Sequence, residues 1–256
     1  MPTFSAHGIE IAYATHGKGP PVLLIHGFAS NGNVNWVETS WTTALAEAGL
    51  TSLVIDNRGH GGSQKLHDPT AYAPTKMAAD AVALLDELGI AKLPVIGYSM
   101  GARIAAFMAR DWPDRVQCAV LGGMGRNLVT GLGDSEEIIA GLLAPSLADI
   151  AGRTGRQFRA FADRTGADRQ ALAACMSSSR EAMSEEDVRR IGVPVLVATG
   201  SDDEMAGPAD KLAELLPDGR AFTIEKRDHM RATGDPRFKA AATDFLERYG
   251  AEHAQV

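Results

Sequence analysis

Short apolar runs alternate with helical segments along most of the chain. Continuous apolar runs predict buried strands at residues 22–25, 53–55, 93–98, 116–121, 193–198 and 221–224. An alternating run at residues 9–15 predicts a half-buried strand that precedes them. Helical composition falls between most of these strands. The pattern therefore predicts an α/β fold, in which a parallel sheet is covered by helices on both faces.

Glycine, proline and capping residues indicate where the helices of this pattern begin and end. Helices are predicted at residues 36–48, 74–88, 102–110 and 208–216. The first ends at Gly49 and the second at Gly89, since glycine commonly ends a helix. Asp235-Pro236 supplies a cap and a first-turn proline for a last helix that runs to about Tyr249.

The alternation breaks between residues 124 and 185, where no strand-like run occurs. Short helices are predicted there at residues 135–143, 147–161 and 168–176. A stretch of this length is too long for a plain loop. We therefore expect a small helical insertion, or cap, at residues 124–185. Residues 1–123 and 186–256 would form a single core domain, which resumes at the capping signal around Ser184.

Composition excludes several classes of protein. The chain has 256 residues, of which 45% are hydrophobic, and a formal net charge of −7, which argues against a nucleic-acid partner. No run approaches the roughly 18 apolar residues that a membrane span needs, and no secretory signal is visible. Cys118 and Cys175 are expected to be packed thiols. We therefore expect a cytoplasmic protein without membrane insertion.

One turn between a strand and a helix carries the strongest chemical signal. Gly97-Tyr98-Ser99-Met100-Gly101 places a serine between two glycines, directly after the strand at residues 93–98. This G-x-S-x-G context holds a nucleophilic serine in a sharp, strained turn at the end of a sheet. The pattern predicts that Ser99 is a nucleophile, and it then requires a base, an orienting acid and oxyanion donors elsewhere in the chain.

A serine hydroxyl needs a base to remove its proton, and histidine is the usual one. Of the seven histidines, only His229 lies in the loop directly after the last predicted strand, from which it could return across the sheet. His26 and His60 lie in glycine-flanked turns and are weaker alternatives. His229 is therefore the predicted base, and His26 is expected to bond the local backbone.

The acid that orients this histidine is expected after the strand at residues 193–198, because the chain order of such triads is serine, acid, histidine. Asp202 and Asp203 both lie there, and position alone does not separate them. Two backbone N–H groups should bind the oxyanion. These are predicted to be Met100, directly after the serine, and Phe28, in the turn after the strand at residues 22–25.

The glycine-rich run at residues 56–63 is expected to fix a loop rather than to bind phosphate. The run at residues 56–63 lacks the lysine and the following helix of a phosphate loop. An internal ion pair between Asp56 and Arg58 is expected to fix it.

No histidine, cysteine or aspartate cluster has zinc spacing, and no G-x-G-x-x-G follows the first strand. No metal and no cofactor is predicted.

Five motifs of this chain together resemble the α/β-hydrolases of the esterase, lipase and haloperoxidase-like group, over about residues 9–249, and they occur in the order of that family. They are His26-Gly27-Phe28, the glycine-rich run at residues 56–63, the serine turn at residues 97–101, Gly200-Ser201-Asp202-Asp203 and Asp228-His229. The resemblance implies a mostly parallel eight-stranded sheet with a small helical cap. It matches Ser99 to the nucleophile and His229 to the base, and it favours Asp203 through the Gly-x-x-Asp spacing. Phe28 and Met100 match the oxyanion donors.

The resemblance implies a serine hydrolase that cleaves carboxylic esters of small to medium acyl groups through an acyl-enzyme. A serine nucleophile argues against the aspartate-dependent dehalogenase and epoxide hydrolase branches. Carbon–carbon bond hydrolysis or lactone opening with the same triad is the alternative, and a ligand receptor on this fold is a third. A small ester-like molecule is the expected partner. The expected substrate contacts, for which packing against the core is the alternative explanation, are Tyr98, Met124, Phe158, Met176 and Met205.

Overall fold

The computed structural model describes residues 1–131, 133 and 135–250. At its centre lies one eight-stranded sheet. The strands are β1 (Thr3–Ala6), β2 (Ile9–Gly17), β3 (Pro21–Ile25), β4 (Thr51–Ile55), β5 (Leu93–Tyr98), β6 (Val116–Gly122), β7 (Val195–Gly200) and β8 (Gly219–Ile224). Their order across the sheet is β1-β2-β4-β3-β5-β6-β7-β8. β2 pairs antiparallel with β1 and β4, and all other pairs are parallel.

This sheet confirms the predicted α/β fold. β3 and β5 read as unbroken apolar runs because they lie inside the sheet with both faces covered. β1 was not predicted, because it is a four-residue edge strand whose residues alternate between exposed and buried. β7 begins at Val195 rather than at residue 193, since Pro194 has no N–H to donate to a neighbouring strand.

Helices cover both faces of the sheet. Those of the described residues are α1 (Trp41–Glu47), α2 (Pro74–Glu87), α3 (Met100–Asp111), α4 (Asn127–Thr130), α5 (Ser135–Leu143), α6 (Arg153–Thr165), α7 (Arg169–Ser178), α8 (Glu185–Arg189), α9 (Ala209–Ala213), α10 (His229–Ala232) and α11 (Pro236–Gly250). Apolar residues of α2 and α3 pack in one buried cluster on the sheet. Those of α1 and α11 pack in a second cluster on its other face.

Two predicted helices begin later in the structure than in the sequence pattern. The helix expected at residues 36–48 is broken, because Ser40 takes a left-handed backbone conformation with φ of 62°. A π-helical turn, Asn33–Val37, precedes this break and α1 follows it. The helix expected at residues 147–161 is likewise a short 3-10 turn, Leu147–Asp149, followed by α6.

Between β6 and β7 the described residues form helices and no strand. Leu128, Ile138, Leu172 and Met176 of this region belong to the same buried cluster as the sheet and α3. The helices therefore lie against the core rather than apart from it. The division into a core domain and a cap at residues 124–185 stays a prediction.

Parallel strands end at a common edge, and the predicted site residues follow these ends. Phe28 comes after β3, Ser99 after β5, Asp203 after β7 and His229 after β8. This edge is where α/β sheets bind their ligands. In the described part of the chain, no helix has the length and apolar character to cross a bilayer.

Candidate active site

Ser99 occupies a strained turn between β5 and α3. Its φ of 54° and ψ of −113° are rare for a residue with a side chain. Two glycines make the turn possible: a Cβ on Gly101 would overlap the carbonyl oxygen of Ile25, and one on Gly97 would overlap the carbonyl of Gly101. The close approach of β3, β5 and α3 therefore requires glycine at both positions.

The hydroxyl of Ser99 faces His229. Its Oγ lies 3.0 Å from Nε2 of His229, and Nδ1 of the same ring lies 2.8 Å from Oδ2 of Asp203. Because a carboxylate accepts hydrogen bonds, Nδ1 carries the imidazole proton and leaves a lone pair on Nε2 toward the serine. The structure thus brings together serine, histidine and aspartate in the relation that a nucleophile, a base and an orienting acid require.

Asp203, rather than Asp202, is the carboxylate at the histidine. The Asp203 side chain is fully buried, and its Oδ1 also accepts the N–H of Ala206 at 2.9 Å. Asp202 is exposed, and its Oδ1 accepts a hydrogen bond from the hydroxyl of Ser201. The two alternatives that the sequence left open are therefore separated by geometry.

His229 lies on a short helix, which corrects the expectation that it lies in a loop. α10 begins at His229 and is capped by Asp228, whose Oδ1 accepts the N–H groups of Met230 and Arg231. The residues on either side of α10 are joined by an ion pair, in which Oδ2 of the buried Asp235 accepts a 2.6 Å hydrogen bond from Arg227. Hydrogen bonds from the flanking arginines, Arg237 foremost, hold the pKa of Asp235 well below its usual value.

Tyr98, which the sequence predicted as a substrate contact, packs behind the histidine. Its hydroxyl donates to the backbone carbonyl of His229, and its ring packs at 6.3 Å from that of Phe238. It belongs to the buried cluster with α1 and α11. Burial raises the pKa of Tyr98, so its phenol remains a donor. Because the polar tip of this side chain is bonded to protein, the structure supports the packing alternative, and a role for Tyr98 in substrate binding stays a prediction.

The turn after β3 lies beside the serine. A Cβ on Gly27 would come within 3.5 Å of the Cβ of Ser99. The backbone N–H groups of Phe28 and Met100 donate to no acceptor within the described part of the chain. Two free donors next to a candidate nucleophile are what an oxyanion site requires. Their role as oxyanion donors stays a prediction until it is tested.

His26 fixes this turn, as the sequence predicted. Its Nδ1 donates to the carbonyl of Gly27 at 2.8 Å, while its Nε2 accepts the N–H of Asn57 at 3.0 Å. Both ring nitrogens are therefore occupied, and His26 has none left to act as a base. Burial lowers the pKa of His26 to about 4, and that of the neighbouring His60 to about 3.

The expected ion pair between Asp56 and Arg58 is wrong. Arg58 instead pairs with Asp80 of α2, with both side chains buried and 2.6 Å between the charged atoms. The Asp56 carboxylate accepts backbone N–H groups of Gly32 and Gly62, each at 2.7 Å. Neither partner could be seen in the sequence, since Asp80 and Gly32 lie more than 20 residues away.

The other four predicted substrate contacts occupy different environments. Phe158 of α6 is half-buried, with its ring centre 5.6 Å from that of Phe28. Met124 and Met176 are 2% and 1% exposed within the core cluster, which supports the packing alternative. Met205 is half-buried, and its carbonyl accepts a hydrogen bond from Asn127. A role in substrate binding for these residues stays a prediction.

The cysteines and the acidic residues form no second chemical centre among the described residues. Cys118 and Cys175 are free and buried, and burial raises the pKa of both thiols to about 12. No group of three or more histidine, cysteine, aspartate or glutamate side chains in the described ranges could hold a metal ion.

Comparison with known proteins places this geometry in a family. Residues 20–186, more than half of the chain, match a family model described as alpha/beta hydrolase fold. An epoxide hydrolase of Siraitia grosvenorii is 36% identical over 121 residues, which are 46% of this chain and 36% of the plant protein. The chain thus spans only about a third of the length of that relative.

Other relatives match along nearly the whole chain. A non-heme chloroperoxidase of Kitasatospora aureofaciens is 26% identical, and the match covers 94% of this chain and 97% of the relative. Among solved structures, an esterase from Exiguobacterium antarcticum superposes with a TM-score of 0.80 at 20% identity. That superposition covers 96% of this chain and 98% of the esterase. At this identity the likeness shows the fold alone.

Proposed function

The chain belongs to the α/β-hydrolase family, and from that premise we propose that it is a serine hydrolase of carboxylic esters. The observation that carries the proposal is the chain of hydrogen bonds from Ser99 through His229 to Asp203. Its substrates would be small to medium esters, and its intermediate an acyl-enzyme on Ser99.

In the first half-reaction, Oγ of Ser99 attacks the acyl carbon while Nε2 of His229 takes the hydroxyl proton. The carbonyl oxygen becomes an oxyanion, and the N–H groups of Phe28 and Met100 stabilise it. When the carbon–oxygen bond of the ester breaks, His229 returns the proton to the leaving alcohol. Asp203 holds the histidine in the required tautomer and stabilises the imidazolium that forms between these two steps.

The second half-reaction clears the acyl group. Nε2 of His229 takes a proton from water, whose oxygen attacks the acyl carbon. The oxyanion forms again at the same two N–H groups. Collapse breaks the bond to Oγ of Ser99, which takes back the proton from His229, and the carboxylic acid leaves. The same residues therefore serve both halves, as microscopic reversibility requires.

A serine nucleophile supports acyl chemistry over epoxide opening, although one relative is named an epoxide hydrolase. An acyl-serine forms from an ester and is cleared by water. Lactone opening uses the same steps, with the leaving alcohol tethered to the acyl group. Hydrolysis of a carbon–carbon bond would need a carbanion leaving group. These two reactions are the alternatives that a substrate panel would separate.

The test is a panel of p-nitrophenyl esters of two to twelve carbons, together with lactones and thioesters. Wild-type protein should turn over short esters repeatedly, and Ser99→Ala should not. Asp202→Asn serves as a control, since its carboxylate does not contact the histidine. Ester turnover that persists in Ser99→Ala would contradict the proposal. A single slow reaction without turnover would instead favour a receptor. A cytoplasmic location stays a prediction.

A further inference from the structure

Helix α6 contacts the turn that carries the candidate oxyanion donor Phe28. Phe158 and Thr165 lie seven residues apart on α6, which places them on the same face two turns apart. The Phe158 ring packs on that of Phe28, with centroids 5.6 Å apart. The Thr165 hydroxyl lies 3.0 Å from the carbonyl oxygen of Ala29. One helix face thus contacts two successive residues of the turn.

Ala29 is a strained residue with a buried carbonyl. Its φ of 59° lies in the left-handed region, which a residue with a Cβ rarely adopts. Ala29 is fully buried. A buried carbonyl normally has a hydrogen-bond donor. Among the described residues, the donor to this carbonyl is the hydroxyl of Thr165. Strain of this kind persists only where surrounding contacts hold it.

The Thr165 hydroxyl has one proton and three carbonyls within reach. Besides Ala29, these are Ala162 at 3.1 Å and Phe161 at 3.2 Å, both on its own helix. The Ala162 carbonyl already accepts the N–H of Ala167 at 3.0 Å. The Phe161 carbonyl stands four residues before Thr165, in the position of a helical acceptor. The Ala29 carbonyl is the shortest contact and the acceptor with most need of the proton.

We propose that Thr165 is a positioning residue that orients the candidate oxyanion donor, so that α6 is part of the oxyanion machinery. The inference rests on the proposed function. The N–H of Phe28 belongs to the same peptide group as the Gly27 carbonyl, and the Ala29 carbonyl lies two peptide groups further along the turn. His26 holds the Gly27 carbonyl on one side, and Thr165 holds the Ala29 carbonyl on the other. Loss of either anchor lets the turn relax and moves the N–H away from the developing charge.

The test compares Thr165→Val, which removes the hydroxyl at nearly constant shape, with Thr165→Ser, which keeps it. Thr243→Val is the matched control, because Thr243 is a half-buried helical threonine that bonds the carbonyl four residues earlier. The readouts are kcat and KM for a short p-nitrophenyl ester, the inhibition constant of an alkyl boronic acid, and the melting temperature. The boronic acid forms a tetrahedral adduct on the serine and thereby occupies the oxyanion site.

Thr165→Val should lower kcat about 10-fold with KM within about twofold, because a displaced donor loses transition-state binding specifically. The boronic acid should bind about 10-fold more weakly. Thr165→Ser should restore both values to within about threefold, and Thr243→Val should change neither. Should Thr165→Val fail to fold, a Thr165→Ser variant with wild-type kcat and boronate binding still supports a role for the hydroxyl, whereas one with the 10-fold loss contradicts it.

Two results would overturn the inference while leaving the proposed function intact. If folded Thr165→Val keeps the wild-type kcat and boronate affinity, the hydroxyl does not position the oxyanion donor, and the proposed function is unaffected. If KM rises alone, α6 shapes substrate binding and not the oxyanion site. Failure of the proposed function looks different, since wild-type protein itself would hydrolyse no ester and bind no boronic acid; this outcome would overturn both.

Discussion

The phenol of Tyr98 donates a hydrogen bond to the backbone carbonyl of His229, and the two rings lie 5.5 Å apart. The residue directly before the candidate nucleophile therefore supports the candidate base. β5 and α10 are more than 100 residues apart in sequence, yet this contact links the two elements that must hold the 3.0 Å distance between Ser99 and His229.

Removal of that phenol should weaken catalysis without abolishing it. Tyr98→Phe deletes one buried hydrogen bond, which is typically worth about 1 kcal/mol, so kcat should fall about 5-fold and the protein should lose a similar free energy of unfolding. Steady-state kinetics and urea unfolding measure the two effects. Tyr13→Phe is the control, since β2 lies three strands from β5 and neither value should change. An unaltered kcat in Tyr98→Phe would mean that the phenol of Tyr98 does not position His229.

The adjacent acids Asp203 and Asp202 offer a matched pair. Asp203→Asn keeps the size of the side chain but cannot hold the histidine tautomer, so kcat should fall about 10³- to 10⁴-fold. Asp202→Asn should stay within about twofold of wild type, because among the described residues its carboxylate bonds only the adjacent Ser201. The measurement is kcat on a short ester. Equal losses in both variants would show that the turn as a whole, and not the Asp203 carboxylate, matters.

The glycines of the serine turn should not tolerate even a methyl group. Gly101→Ala would push a Cβ into the carbonyl of Ile25, so either the turn opens or the protein unfolds. We expect the free energy of unfolding to fall by about 3 kcal/mol or more and ester turnover to be lost. Gly192→Ala is the control, because a Cβ there meets nothing within 4 Å. A stable, active Gly101→Ala variant would contradict the close approach of α3 and β3.

Stability should fall in mild acid because of two buried histidines. Burial lowers the pKa of His26 to about 4 and of His60 to about 3, from 6.5 for a free histidine. Below pH 6.5 the unfolded chain therefore binds up to two more protons than the folded chain. As pH falls from 6.5 toward 4, the free energy of unfolding should drop by about 1.4 kcal/mol per pH unit for each histidine, in addition to other groups.

His60→Asn isolates one of these contributions. The amide can still donate to the Arg58 carbonyl, which the histidine ring contacts through Nδ1. Urea unfolding at several pH values should give a slope that is flatter by about 1.4 kcal/mol per pH unit between pH 6 and pH 4.5. The same slope in variant and wild type would mean that His60 is protonated in the folded protein and is not buried as described.

Much of this fold could be predicted, because periodicity marks buried strands directly. The runs that became β3, β5 and β6 are apolar throughout since both faces of the sheet are covered. β1 escaped prediction because four alternating residues carry little periodic signal. The break at Ser40 also escaped, since a left-handed residue other than glycine leaves no mark in the sequence.

The candidate site likewise contains residues that could be predicted from the sequence and residues that could not. Ser99 and His229 could be identified because glycine spacing and strand order mark their positions. Asp203 needed a resemblance to separate it from its neighbour. The supporting contacts of Tyr98 and Thr165 could not be predicted, since each joins residues more than 100 positions apart. Such contacts depend on packing, which no local pattern records.

Stoichiometric labelling measures whether Ser99 is the nucleophile. A fluorophosphonate ester bonds an activated serine irreversibly, and intact mass with peptide mapping gives the fraction modified at Ser99. Residual ester turnover is measured on the same samples. If Ser99 is the nucleophile, activity falls in proportion to Ser99 labelling and reaches zero at one label per chain, while Ser99→Ala takes up no label. Protein that is fully labelled at Ser99 and still hydrolyses esters, or that is inactivated by labelling elsewhere, would contradict this role.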